Sequence, residues 1–328
     1  MRKRSAARLG REISEIGFGA WQIGGSWGSV DERDAEAALS AALDAGVTFI
    51  DTADGYGAGR SEEIIGRVLK GRGGERPFVA TKCGRGFGPN SAESYTRANL
   101  AGWVEASLKR LQVEALDLLQ LHCPHPAVYY MPEVFGHLDG LVAAGKVRRY
   151  GVSVEKVEEG LKAIEYPNVA SIQIIYNIFR QRPERLFFRE AKAKGVAVIA
   201  RVPLASGLLT GKLKADTKYA ADDHRAFNRE GASFDRGETF AGVPYDVGLA
   251  AVEEIRKLVP AGMDMTAFAL RWILMNDAVT TVIPGARNAA QARGNAAAAD
   301  VPALSEATMR ALRELYANRI AVHVDARW

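Results

Sequence analysis

Cysteine is scarce in this sequence: Cys83 and Cys123 are the only two in 328 residues. Two thiols cannot build a disulfide framework, which excludes a stapled secreted scaffold and fits a reducing compartment. Long hydrophobic runs are missing as well. None approaches the ~18 apolar residues that span a bilayer, so no membrane protein is expected. Charge of one sign is not in excess either, with 43 basic and 39 acidic residues giving a net +4. No basic run is interleaved with aromatics, so no nucleic-acid partner is expected. The opening MRKRSAARLGREISEIG is basic but lacks the apolar segment of a signal peptide, and the expectation is a mature, cytoplasmic protein. Linkers, low-complexity tracts and close internal repeats are absent too, so residues 1–328 are read as one domain. The total leaves room for a locally basic pocket that takes a phosphorylated small molecule.

What is present is ordinary globular composition, 48% hydrophobic and 25% charged, in a regular alternation. EISEIGFGAW holds a short strand ending near Gly19. DERDAEAALSAALDAG reads as a helix with Asp31 as N-cap, acids in the first turn and Gly46 at its end. VTFID is a strand, and SEEIIGRVLKG a helix with Ser61 as N-cap. The pattern continues through FVATK, LDLLQLH, VRRYGVS, VASIQIIYN, VAVIARVPL and AVTTVIPGA, each followed by a helical stretch. Strands alternating with helices imply a parallel sheet covered on both faces. Eight such units point to an α/β fold, a closed (β/α)8 TIM barrel with long βα loops. DMTAFALRWILMN and SEATMRALRELYANR are extra helices, and residues 206–245 form the one long irregular connection.

In such a barrel the active site lies where the strands end. The second strand ends in Asp51, the third in Lys82 and the fourth in His122, with Tyr56 five residues past Asp51. Singly, each has a plainer use as a cap, a rim charge, a satisfied core imidazole or a packing ring. Together, at matching strand ends, they compose a site. A tyrosine titrates near pH 10, and a neighbouring ammonium lowers that value. Asp51 holds the ammonium in place, and a neutral histidine donates to a substrate oxygen. The set suits protonation of a carbonyl oxygen as negative charge develops there. It contains no obvious nucleophile and so calls for an external hydride from a nicotinamide cofactor.

These residues sit in segments that resemble the aldo-keto reductase family over essentially the whole chain: LGREISEIGFGAWQIGG, FIDTADGYGAGRSEEIIG, TKCG, DLLQLHCP, YGVSV, PLASGLLTGK and IPGARNAAQARGN. The resemblance implies a tetrad of Asp51, Tyr56, Lys82 and His122, with Tyr56 as general acid–base. It implies that Ser153 and Gln173 grip a nicotinamide carboxamide; a strand-end hydroxyl and a buried amide are their alternative readings. Pro203, Leu204, Ser206, Gly207, Leu209, Gly211 and Lys212 resemble the loop crossing a pyrophosphate. Gly285, Arg287, Gln291 and Asn295 resemble the adenosine-phosphate segment, with Arg287 on a 2′-phosphate; a solvated helix face is the alternative for the last two. The implied activity is NADPH-dependent reduction of an aldehyde, ketone or sugar, with NADH as the secondary cofactor. The same fold also serves as a cofactor-binding regulatory or redox-sensing subunit, against which the intact tetrad argues. A Schiff-base aldolase using Lys82 is the third reading, and Asp51 opposes it by keeping the amine charged.

Two positions depart from the family pattern. Val154 stands where many members have Asn, and Arg201 where many have an aromatic ring on the nicotinamide. Arg201 is read as a cofactor contact or a rim ion pair. Trp21 is expected to line the substrate pocket beside Tyr56 and His122. Trp27, Phe87, Tyr129 and Trp328 are further wall candidates that packing explains equally well. GYGAG and GRGFG match no phosphate-loop pattern. HCPH lacks the second cluster that zinc wants, so no metal is expected. Strand alternation turns both cysteines toward the helices as inert packing. Oligomeric state and the particular substrate are not encoded in any motif.

Overall fold

The computed structural model describes residues 1–25, 27–28, 30–85 and 91–328. The chain begins with an antiparallel hairpin, β1 (Lys3–Ala6) and β2 (Arg11–Ser14). Eight strands follow: β3 (Phe18–Gly19), β4 (Phe49–Asp51), β5 (Phe78–Cys83), β6 (Leu118–His122), β7 (Tyr150–Ser153), β8 (Val169–Ile175), β9 (Ala197–Arg201) and β10 (Val279–Val282). They lie side by side in sequence order, and every pairing is parallel. Parallel bridges Ile16–Val282 and Gly19–Gly285 join the last strand to the first, so the sheet closes. The expected (β/α)8 barrel is the observed architecture.

Strand alternation divides the core in two. Phe49, Phe78, Ala80, Leu118, Ala197, Ile199 and Ile283 fill the barrel interior with Leu9 and Ile13. Ile50, Val79, Leu119, Val152, Ile172 and Val198 face outward against the helices. EIS therefore belongs to the hairpin, and not to a strand running on to Gly19. The hairpin plugs the N-terminal end of the barrel with Leu9 and Ile13. Arg4 ties it down by donating to the carbonyls of Leu274, Asn276 and Val279, while buried Glu15 pairs with Arg2 and Arg4.

Asp31 caps the helix Glu32–Asp44 by accepting from the Arg33 amide. Ser61 does not cap its helix: the helix runs Arg60–Lys70, and Gly59, at φ +98°, is the N-cap. The Ser61 hydroxyl instead donates to the Ala20 carbonyl and accepts from Thr52, joining the first two barrel strands' loops. Both extra helices are present, as Met265–Leu274 and Glu306–Leu315. Among the described residues no helix is long and apolar enough to cross a membrane.

Candidate active site

Asp51 and His122, the last residues of β4 and β6, and Lys82, the last but one of β5, converge at the C-terminal rim. Lys82, fully buried, donates from Nζ to Asp51 Oδ1 at 2.5 Å, to the Thr52 carbonyl at 2.9 Å and to Tyr56 Oη at 3.1 Å. All three ammonium protons are thus engaged. The His122 ring meets the Tyr56 ring edge-on, with centroids 5.7 Å apart. Tyr56 reaches this position because its loop folds back over β5, with the Asp54 amide donating to the Lys82 carbonyl. Gly24 lets the first loop pack directly on the Tyr56 backbone, where a Cβ would come within 2.8 Å.

Beneath Lys82 lies a polar ladder that the strand-end reading missed. Gln173 Nε2 donates to Asp51 Oδ2 at 2.7 Å, and Gln120 Nε2 donates to the same oxygen at 3.1 Å. A buried carboxylate needs such donors. Gln120 stands two residues before His122 on the same strand face, so the period of two would have found it. Gln173 is therefore a partner of Asp51 as well as a lining residue of the cavity.

Burial sets the protonation of the group. It pushes the Tyr56 phenol above its ordinary value of 10; Lys82 pulls the other way and is outweighed. The expected net lowering is thus reversed, and the phenol holds its proton at neutral pH. For Lys82, burial favours the neutral amine, but Asp51 and Tyr56 outweigh it and the shift is upward. Burial, then Lys82, Arg85 and Arg201, hold His122 well below 6.5, so the imidazole is neutral. Its Nδ1 is buried and, among the described residues, without a partner. Asp54 sits in the turn closed by the Tyr56 amide on the Ala53 carbonyl. Its carboxylate faces the Gly55 and Gly84 amides, yet burial and Glu62 push it up to about 7.

A cavity of about 760 Å³ extends from this cluster along the rim, a size that suits a cofactor with its substrate. Trp21, Tyr56, His122, Ser153, Gln173, Arg201, Pro203, Leu204, Ser206, Gly207, Lys212, Gly285, Arg287, Gln291 and Asn295 all line it. Leu209 and Gly211 do not. Leu209 is buried in the outer core, and Gly211, at φ +68°, sits where a Cβ would meet Met265 and Arg256. Gln291 and Asn295 share one face of the helix Ala289–Ala297 as expected, and each also braces the loop before it. Gln291 Oε1 accepts from the Arg287 amide, and Asn295 Nδ2 donates to the Gly285 carbonyl. Nitrogen and oxygen atoms at both ends of one continuous cavity, with Nδ1 of His122 and Nε of Arg201 buried and unpartnered among the described residues, fit a long polar cofactor.

Trp21 stacks on Tyr56 at 6.0 Å, and Trp27 also lines the cavity. Tyr129 is buried away from it, its hydroxyl on Glu159. Phe87 and most of GRGFG lie outside the described residues. Trp328 packs on the Arg180 guanidinium at 4.3 Å and donates from Nε1 to Asp235, so it anchors the long connection without lining the cavity.

Cys123 does not face the helices. It follows the end of β6 with φ +49°, which breaks the alternation and aims Sγ at Ser153 Oγ and Arg201, each 3.6 Å away. Cys83 packs outward as expected. Burial pushes the Cys123 thiol up to about 12, so it stays protonated. Of HCPH, His125 serves as a turn cap, accepting from the Ala127 amide. Arg201 donates to the Val154 carbonyl at 3.1 Å and pairs with Glu238 at 3.5 Å. The two positions that depart from the family pattern are therefore in contact. Glu238, on the long connection, also lines the cavity, and no motif announced it.

Similarities to known proteins bear on this geometry. Residues 15–317 match the model of the aldo/keto reductase family. An aldo-keto reductase of Bacillus subtilis, YhdN, is 35% identical over 88% of this chain and 85% of its own. The glycerol dehydrogenase AKR11B4 of Gluconobacter oxydans superposes with a TM-score of 0.78 at 31% identity, over 98% of this chain and 96% of its own. The NADH-specific methylglyoxal reductase of Escherichia coli is 27% identical over 92% of this chain and 94% of its own. Family membership brings a nicotinamide cofactor and small carbonyl substrates. The chain belongs to the aldo/keto reductase family and is an NAD(P)H-dependent oxidoreductase.

Proposed function

We propose that the protein reduces a carbonyl to an alcohol with NADPH, Tyr56 acting as the general acid. The observation that carries this reading is the Tyr56 hydroxyl held at 3.1 Å by the Lys82 ammonium, at one end of a cavity that reaches Arg287 at the other. A bound nicotinamide supplies the hydride. The substrate oxygen lies against Tyr56 Oη and His122, which together polarise the carbonyl. As charge develops on that oxygen, the Tyr56 proton moves to it, and the phenolate left behind is stabilised by Lys82. Asp51, itself held by Gln120 and Gln173, keeps the ammonium aimed at Tyr56.

Ser153, Gln173 and Arg201 hold the nicotinamide end; Pro203 to Lys212 cover the pyrophosphate. Of that run, Pro203, Leu204, Ser206, Gly207 and Lys212 face the cavity; Gly285, Arg287, Gln291 and Asn295 hold the adenosine end, with Arg287 on the 2′-phosphate. The NADH specificity in the Escherichia coli relative's name makes NADH the competing cofactor. An NADPH-oxidation screen across aldehydes, diketones, steroids and sugars tests the reaction; no turnover on any carbonyl overturns it. Arg287→Ala should weaken NADPH binding by about tenfold or more, the worth of a charge-assisted contact, and NADH far less. Equal weakening of both, measured by fluorescence titration, overturns the 2′-phosphate assignment.

A further inference from the structure

The carbonyl end of the cavity has two unlike walls. One is aromatic: Trp21 stacks on Tyr56, and Phe234 and Trp27 meet the Trp21 indole edge-on at 5.9 and 5.5 Å. The other is charged. Glu238 lines the cavity with Tyr56, His122 and Arg201. Its Oε1 accepts from Arg85 at 2.6 Å and faces Arg201 at 3.5 Å. Arg85 in turn pairs with Glu155 at 3.4 Å. Burial alone would protonate Glu238, but the two guanidinium groups hold it below the ordinary carboxylate range. It is an ionised acceptor on the wall of the cavity, close enough to Tyr56 to act on its phenol, and among the described residues its side-chain contacts fall on Oε1.

The chain invests several interactions in placing this one carboxylate. Ser206, at φ +54°, donates to the Glu238 carbonyl and accepts from the Phe240 amide. Asp235 caps the turn that carries Glu238 and takes the Trp328 indole N–H. A Cβ on Gly242 would lie 2.5 Å from the Trp328 ring, and one on Gly237 would meet Asp235 Oδ1 at 2.6 Å and Arg180 at 2.8 Å.

We propose that Glu238 is a specificity-determining residue that selects carbonyl substrates bearing hydroxyl groups on the first two carbons beyond the carbonyl, over alkyl aldehydes of the same shape. An alkyl chain beside Glu238 leaves a buried charge with less solvation and no new partner, whereas a hydroxyl donates to it. The aromatic wall packs against the C–H face of the same short chain. A site built to bond a substrate hydroxyl rejects the analogue that lacks it, often more strongly than a hydrophobic pocket separates homologues. This inference rests on the carbonyl-reductase reading of the same site.

The test compares glyceraldehyde with 2-methylbutanal, in which both hydroxyls become methyl groups, using NADPH and the whole protein. The expected result is a kcat/KM ratio favouring glyceraldehyde by about tenfold or more. Glu238→Leu should reduce that ratio about tenfold, and Glu238→Gln, which keeps an acceptor oxygen, by less. Fluorescence titration of NADPH on each variant shows whether its fold is retained. If Glu238→Leu fails to bind cofactor, the wild-type and Glu238→Gln ratios decide. Equal wild-type rates on the two aldehydes, or variants that slow both substrates equally, overturn the inference while leaving the reductase reading in place. Oxidation of NADPH by neither aldehyde nor any other carbonyl overturns both.

Discussion

Replacing Tyr56 with Phe removes one oxygen and leaves the ring stacked on Trp21, so packing survives while the proposed proton donor goes. Loss of a positioned general acid lowers kcat by about 100-fold to 10,000-fold. NADPH affinity should stay within a few-fold, and unchanged turnover in steady-state assays would refute the role. Lys82→Met acts differently. It leaves Asp51 buried with two amide donors but no cation, and breaking a buried pair this way costs about 3–5 kcal/mol. Urea denaturation should show that loss in addition to lost activity. Gln120 was hidden from a reading that looked only at strand ends, although its position on the inward face was implicit in the alternation. Cys123 was misplaced for the opposite reason. Alternation was extended one residue too far, past the end of β6 into a left-handed turn.

At the scale of elements, the strands allow little freedom. A Cβ on Gly151 would lie 2.1 Å from Ser171 Oγ and 2.4 Å from its carbonyl oxygen, and β7 is paired on both sides. Gly151→Ala should therefore cost about 1–3 kcal/mol or more by overpacking, read as a lowered Tm. Gly102, on the helix Arg97–Leu111, has open space where a Cβ would go. Gly102→Ala should raise stability by about 0.5–1 kcal/mol, since a mid-helix glycine forfeits that much. Opposite signs for the same substitution follow from surroundings alone. The helices and barrel strands were legible because their apolar periodicity is local. The shift of the helix start from Ser61 to Gly59 was not, because the Ser61 hydroxyl is claimed by Ala20 and Thr52, neither adjacent in sequence.

For the molecule as a whole, burial of ionisable groups around the cavity couples stability to pH. Burial holds His122 well below 6.5 and His224 down to about 4. Above pH 6.5 neither affects stability; as pH falls below it, the unfolded chain takes up protons that the folded one excludes, and stability falls. Asp54 works in the other direction. Its carboxyl is pushed from 3.8 to about 7, so the folded state holds an extra proton, and that contribution is lost as pH rises from 3.8 to 7. Asp54→Asn carries no such linkage. Its stability relative to the wild type should therefore rise between pH 5 and 7 in urea titrations, and a flat difference would contradict the assignment. The sequence by itself determined the alternation of strands and helices, and with it the barrel and the strand-end positions of Asp51, Lys82 and His122. Those follow from the spacing of apolar residues along the chain, which short-range geometry dictates. Only the tertiary structure decided which amides support Asp51, that burial outweighs Lys82 at the Tyr56 phenol, and that the long connection delivers Glu238 to the cavity. Each of these depends on how residues distant in sequence exclude water together, and desolvation is a property of the enclosed volume rather than of any segment.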